Sequence, residues 1–308
     1  MSGARIGIEL GIRAPAKAVR RAAELAGSYA EYFLVPETHP RIMGVDALDM
    51  ILEVSAGLPS RARMGTGVIN VFSRTREDML YQALRIHRTV GERFILGIGT
   101  SAPVVVEGMW KMAFRRPVSR LVSYTKSLRV HGYAGPIYWA AVGERVLQLA
   151  IQNADGIIFF LKPRSHMPKH IRVIRERASP EFGIMSIIPV SVSSSTAHDA
   201  RMDVNMTVAG YVGANGFYGE PLAAAGFDVA GIRDAYSREG VRGGARMVCD
   251  SMLDEVQAVW GTPGSCARVI RGMARKSEAD VLVLGFDLPP DRYDDAFFED
   301  LGTLLRGL

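Results

Sequence analysis

The sequence predicts an α/β protein built as a (β/α)8 TIM barrel. Eight short apolar runs alternate with longer amphipathic ones along the 308 residues. Each short run is rich in Ile, Val, Leu and Phe and lacks polar alternation, which is how parallel strands buried on both faces read. The first run opens into Leu10-Gly11-Ile12-Arg13-Ala14-Pro15, without the G-x-G-x-x-G turn that announces a doubly wound sheet. Eight strands, each followed by a helix, is the barrel count.

Strands are expected over 6–10, 32–35, 64–68, 94–98, 137–141, 156–160, 184–190 and 281–284. The first helix, 16–25, follows Pro15, a favourable first-turn residue, and the second, 47–56, ends beside Gly57. Helical patterns continue over 76–90, 116–128, 145–153 and 167–177, then over 263–274 and 291–305. Strands seven and eight lie too far apart for one crossover helix. The stretches 197–212, 222–239 and 245–260 therefore read as helices of an insertion spanning about 192–260. A second insertion, 100–117, follows strand four. Residues 1–308 are expected to form one domain, with both insertions on the C-terminal, active-site side of the barrel.

Composition narrows the function. Apolar residues make up 48% and charged residues 22%, and 37 Lys and Arg against 32 Asp and Glu leave a formal charge of +5. That excess is small and scattered, and its clusters lack the aromatic interleaving of a single-strand-binding groove, so no nucleic-acid partner is expected. Cys249 and Cys266 have neither redox nor metal-ligand spacing, and the six histidines are dispersed, so no metal site is expected. Neither a secretory leader nor an apolar run long enough to span a bilayer is found, so a cytoplasmic protein is expected.

The strand ends carry the candidates for chemistry. Glu9 puts a carboxylate inside an apolar strand, which is costly unless it is functional or paired with an arginine in the core. Glu37 and His39, in Val35-Pro36-Glu37-Thr38-His39-Pro40, offer proton transfer or ring orientation; a capped loop is the other reading. Gly67 and Val68 let the backbone approach a flat ligand, or simply give a strand end room to pack. Thr100, in Gly97-Ile98-Gly99-Thr100-Ser101, suits a ligand floor or a tight turn equally. Ala141, Val142 and Gly143 lead into a helix whose free amides would take an anion, with Lys162 adding a cation.

Five segments in this order, Val35-Pro36-Glu37-Thr38-His39, Gly65-Thr66-Gly67-Val68, Arg93-Phe94-Ile95-Leu96-Gly97-Ile98-Gly99, Pro136-Ile137-Tyr138-Trp139-Ala140-Ala141-Val142-Gly143 and Ala154-Asp155-Gly156, resemble the bacterial luciferase-like superfamily. Ile6-Gly7-Ile8-Glu9-Leu10, Arg74 and Arg116-Pro117-Val118-Ser119-Arg120 are similar to its branch using coenzyme F420, the methylenetetrahydromethanopterin reductases. The resemblance implies hydride transfer between coenzyme F420 and a small organic substrate, with a methylene-tetrahydropterin the leading candidate, in a homodimer. It makes Glu9 the general acid near the substrate, sets Glu37 beside the deazaflavin ring and gives Gly67-Val68 a cis peptide against that ring. It assigns Val142, Gly143 and Lys162 to the phosphate. Thr100 stands where the reductases carry an acid, Glu37-Thr38 replaces their Asp-His pair, and 128–135 is shorter, differences that bear on the pterin more than on the cofactor. The alternatives are an FMN-dependent luciferase-like monooxygenase and a cofactor-binding protein without turnover.

Overall fold

A computed structural model describes residues 3–37, 46–140, 143–214 and 216–308. Eight parallel strands close into a barrel: β1 (Arg5–Leu10), β2 (Tyr32–Glu37), β3 (Arg63–Asn70), β4 (Phe94–Gly99), β5 (Ile137–Ala140), β6 (Gly156–Phe160), β7 (Gly183–Val192) and, last in the chain, β9 (Val281–Phe286). β6 pairs with β7, β7 with β9 and β9 with β1, which completes the ring and leaves no open edge. The eight expected strands are these eight.

The surrounding helices are α1 (Ala16–Ala26), α2 (Ala47–Ser55), α3 (Arg76–Val90), α4 (Pro117–Val130), α5 (Glu144–Asn153) and α6 (Met167–Arg177). Next come α7 (Ala197–Ala214), α8 (Gly216–Ala224), α9 (Val229–Arg246) and α10 (Asp250–Glu255), then α11 (Pro263–Lys276) and α12 (Asp295–Arg306). Short polar side chains start several of them. Asp46 accepts from Leu48 N and Asp49 N at α2, Thr75 from Asp78 N at α3, Thr262 from Ser265 N at α11 and Asp294 from Phe297 N at α12. None of the described helices is long and apolar enough to cross a membrane.

Two expectations between β7 and β9 need correction. The run 222–239 is not one helix: Gly226 takes φ 89°, a left-handed turn that separates α8 from α9, and Asp228 caps the second by accepting from Gly231 N. The run 245–260 is not one helix either. It ends in strand β8 (Val259–Gly261), which pairs with Val190–Val192 and prolongs β7 past the rim. The apolar Val256, Ala258 and Val259 fit a helical face and a buried strand alike, and periodicity does not separate the two over so few residues.

The barrel interior is filled from below. Tyr32, Leu34, Ile95, Tyr138, Met185, Val281 and Val283 pack inside it. Tyr138 crosses the N-terminal end of the interior, where a Cβ at Gly183 would fall 1.8 Å from its hydroxyl. Free interior space is therefore left at the C-terminal mouth. There β3 departs from regular pairing: its registers with β2 and β4 slip between Val35 and Glu37 and between Gly65 and Ile69.

Candidate active site

A cavity of about 150 Å³ opens at the C-terminal mouth. Every barrel strand or the residue just past it contributes: Glu9 from β1, Pro36 and Glu37 from β2, Gly67, Val68 and Asn70 from β3, and Ser101 after β4. Ala140, Ile158, Phe160 and Ile187 follow from β5, β6 and β7, and Gly285, Phe286 and Asp287 from β9 and its end. Thr207, Tyr211 and Tyr218, on α7 and α8, close one side. This is the end of a parallel barrel where loops gather reactive groups.

Glu9 is 8% exposed, and its Oε2 is buried without a hydrogen-bond partner. Burial, and after it the charge of Asp287, holds the Glu9 carboxyl well above the usual carboxylate range. Between the two readings of Glu9, an acid in use or a core carboxylate tied to an arginine, the unpartnered oxygen fits the first. Beside it the Gly67–Val68 peptide bond is cis, as the resemblance implies. A Cβ on Gly67 would come within 2.1 Å of Glu9 Oε2, so the missing side chain is the space the carboxyl occupies. Asn70 Nδ2 is a second buried, unpartnered group at the rim; its Oδ1 is held by Phe72 N at 2.8 Å.

Glu37 reaches the same cavity but is fully engaged. Its Oε2 accepts from Arg74 at 2.5 Å and from Ala47 N at 2.9 Å, and Ser73 Oγ donates to Oε1 at 3.5 Å. Burial raises the Glu37 carboxyl, and the Arg74 guanidinium and Ala47 amide pull it back. Arg74 also bridges to Asp46 at 2.9 Å and Asp78 at 3.5 Å. The geometry is that of a post tying β2 to the starts of α2 and α3.

Thr100 does not line this cavity. Ser101, at φ 58°, turns into the cavity wall in its place, while the Thr100 hydroxyl donates to the Ser101 carbonyl at 3.4 Å. His39, Ala141 and Val142 lie outside the described residues. Gly143 precedes the first turn of α5 with open space where a Cβ would stand. Lys162 is buried after β6, with its ammonium lowered to about 8 by desolvation, against the pull of Glu144. Glu144 is itself paired with Lys169 at 2.6 Å. Neither Gly143 nor Lys162 lines the cavity holding Glu9.

Asp287, Tyr211 and Tyr218 escaped the sequence reading, as did Asn70, Phe160 and Thr207. Asp287 stands at the end of the eighth strand, where the strand-end rule applied to the other strands points directly. Tyr211 and Tyr218 lie on helices remote from any strand end. Thr207 and Tyr211, four apart, share one face of α7, and Tyr218 joins them from the separate helix α8.

Residues 122–279, just over half of the chain, match the model of a family described as luciferase-like monooxygenase. The chain is 36% identical over 107 residues to a Mycobacterium tuberculosis protein named as a coenzyme F420-dependent oxidoreductase; the match spans 34% of this chain and only 30% of that protein. The coenzyme F420-dependent tetrahydromethanopterin reductase of Methanopyrus kandleri superposes with a TM-score of 0.76 at 16% identity, over 99% of this chain and 97% of that one. An F420-dependent secondary alcohol dehydrogenase in complex with an F420-acetone adduct gives 0.70 at 13% identity, over 99% of both chains. At these identities the two structures show a common fold.

Proposed function

Because the chain belongs to the luciferase-like monooxygenase family, we propose that it is a coenzyme F420-dependent oxidoreductase acting on a small organic substrate. The observation that carries this reading is the buried, unpartnered Glu9 carboxyl, raised by burial, set against the bare Gly67 backbone at the barrel mouth. The residues fit a flat, hydrogen-bonding cofactor: Gly67 leaves its side of the mouth bare, and Asn70 Nδ2 and Glu9 Oε2 wait without partners. The similarity to the F420-dependent proteins named above supports the deazaflavin.

When bound, the deazaflavin supplies or accepts hydride, and the protein's share is placement, exclusion of water and proton supply. Gly67 and Val68 would back the ring, and Asn70 Nδ2 would donate to it from the rim. Gly143 and Lys162 are assigned to the cofactor's phosphate. Glu9 holds a proton at Oε2 in a dry site, ready for the substrate atom that gains electron density. Tyr211 and Tyr218, uncharged because burial raises their hydroxyls, shield the opposite side from water. The finer proposal for the substrate is a methylene-tetrahydropterin. The protein is proposed to act as a homodimer covering the exposed Tyr29 and Tyr81 near the early helices, which light scattering would show.

The test is a titration of the purified protein with coenzyme F420 and with FMN, followed by quenching of each chromophore's fluorescence. Preferential F420 binding supports the reading. FMN binding alone, with oxygen consumed when reduced FMN is supplied, would replace it with the monooxygenase its family is named for. Binding of neither would overturn it.

A further inference from the structure

The cavity is lopsided in charge. Glu9 and Asp287 enter it from neighbouring strands: Glu9 sits in register with Gly285, two residues before Asp287. Glu9 Oε2 and Asp287 Oδ1 are both buried without a hydrogen-bond partner. No Lys, Arg or His lines the cavity among the described residues, although the chain as a whole carries a formal charge of +5. Arg13 forms a long salt bridge to this same Asp287 Oδ1 at 3.6 Å, from a side chain 40% exposed. Phe160, Tyr211 and Tyr218 line the same cavity, with ring centroids 4.7, 5.9 and 5.2 Å apart and ring planes at 76–81°.

Two carboxyl groups, one unpartnered and one held only by a long salt bridge, together with a cluster of aromatic rings, are complementary to one kind of group. A cation gains from the negative faces of aromatic rings, most where water is excluded, and from charge-assisted hydrogen bonds to carboxylates. A neutral carbonyl or an anion gains neither. We propose that the wall formed by Glu9, Asp287, Phe160, Tyr211 and Tyr218 is the subsite for a positively charged nitrogen of the substrate, an ammonium or iminium group. The inference rests on the reading that an organic substrate enters this cavity, and it names that substrate's class.

The probe is tetramethylammonium, with tert-butanol as a neutral isostere and sodium chloride at equal ionic strength as a control. Binding is followed by calorimetry at mildly alkaline pH. The cation is expected to bind at least about tenfold more tightly than the alcohol, as a desolvated cation–π contact implies. Asp287→Asn, checked for a native circular-dichroism spectrum, is expected to lose most of that preference. Equal affinity for the two probes, or binding of neither, overturns the proposal in the unmodified protein whether or not the variant folds. F420 quenching on the same preparation keeps the two ideas apart. F420 bound with the cation refused sinks the substrate class alone; the cation preferred with F420 refused supports the subsite and overturns the cofactor.

Discussion

Glu9 is a carboxyl group whose proton the fold holds more tightly than water does, because burial disfavours the charged form. Glu9→Gln preserves its shape and hydrogen-bonding capacity but removes the transferable proton, so kcat is expected to fall by about a hundredfold or more with F420 quenching unchanged. Loss of cofactor binding along with rate would instead place Glu9 against the cofactor. The same residue leaves a mark on stability. Its folded-state value is raised from the ordinary 4.5, so the folded protein retains a proton the unfolded chain gives up. The stability this provides is complete below 4.5 and is lost as pH rises through the raised value. The Tm of Glu9→Gln relative to the parent should therefore be flat in acid and climb above 4.5; parallel curves would contradict the assignment. Glu9 was legible in the sequence because an acid in an apolar strand breaks a rule. Glu37 broke the same rule for another reason, since its partner Arg74 lies 37 residues away and no local pattern links them.

Arg74 makes three separate elements share one buried charge cluster. Its side chain is 6% exposed and that of Glu37 is fully buried, so Arg74→Ala strands a carboxylate in the interior. A loss of about 3–5 kcal/mol in urea denaturation is expected, and a loss near zero would mean that water reaches Glu37. Tyr293 has a comparable post behind the site. Its hydroxyl donates to Phe286 O at 2.6 Å and accepts from Leu288 N and Gly11 N at 3.2 and 3.3 Å, binding together the strand ends that present Glu9 and Asp287. Tyr293→Phe is expected to cost about 1–3 kcal/mol, because two amides and a carbonyl lose a partner in a buried place. Element boundaries between β7 and β9 were less legible than these anchors deserve. Gly226 gave a turn signal inside an otherwise helical pattern, and β8 is too short for a period to declare itself.

At the scale of the molecule, the barrel followed from counting apolar runs, because strands buried on both faces leave little choice of residue. The cavity did not follow from counting. Strand ends point to its floor, but Phe160, Tyr211 and Tyr218 meet only once α7 and α8 fold back over the mouth, a long-range fact. Cofactor binding should register on the whole fold. F420 at a hundredfold over its Kd adds about 2.7 kcal/mol to the folded state, so Tm should rise by several degrees with F420 and not with FMN. Equal shifts for the two would argue against a deazaflavin preference.

The contact between position 67 and the Glu9 carboxyl also limits how this protein can change. A methyl group at 67 and an acid at 9 claim the same few cubic ångströms, so position 67 cannot grow while the Glu9 carboxyl keeps its place. A library randomised at both positions and selected for folding should return glycine at 67 wherever an acid stands at 9. Larger residues at 67 should appear only beside alanine, serine or glycine at 9. A lineage that enlarged 67 first would thereby close its own route back to acid chemistry at this mouth.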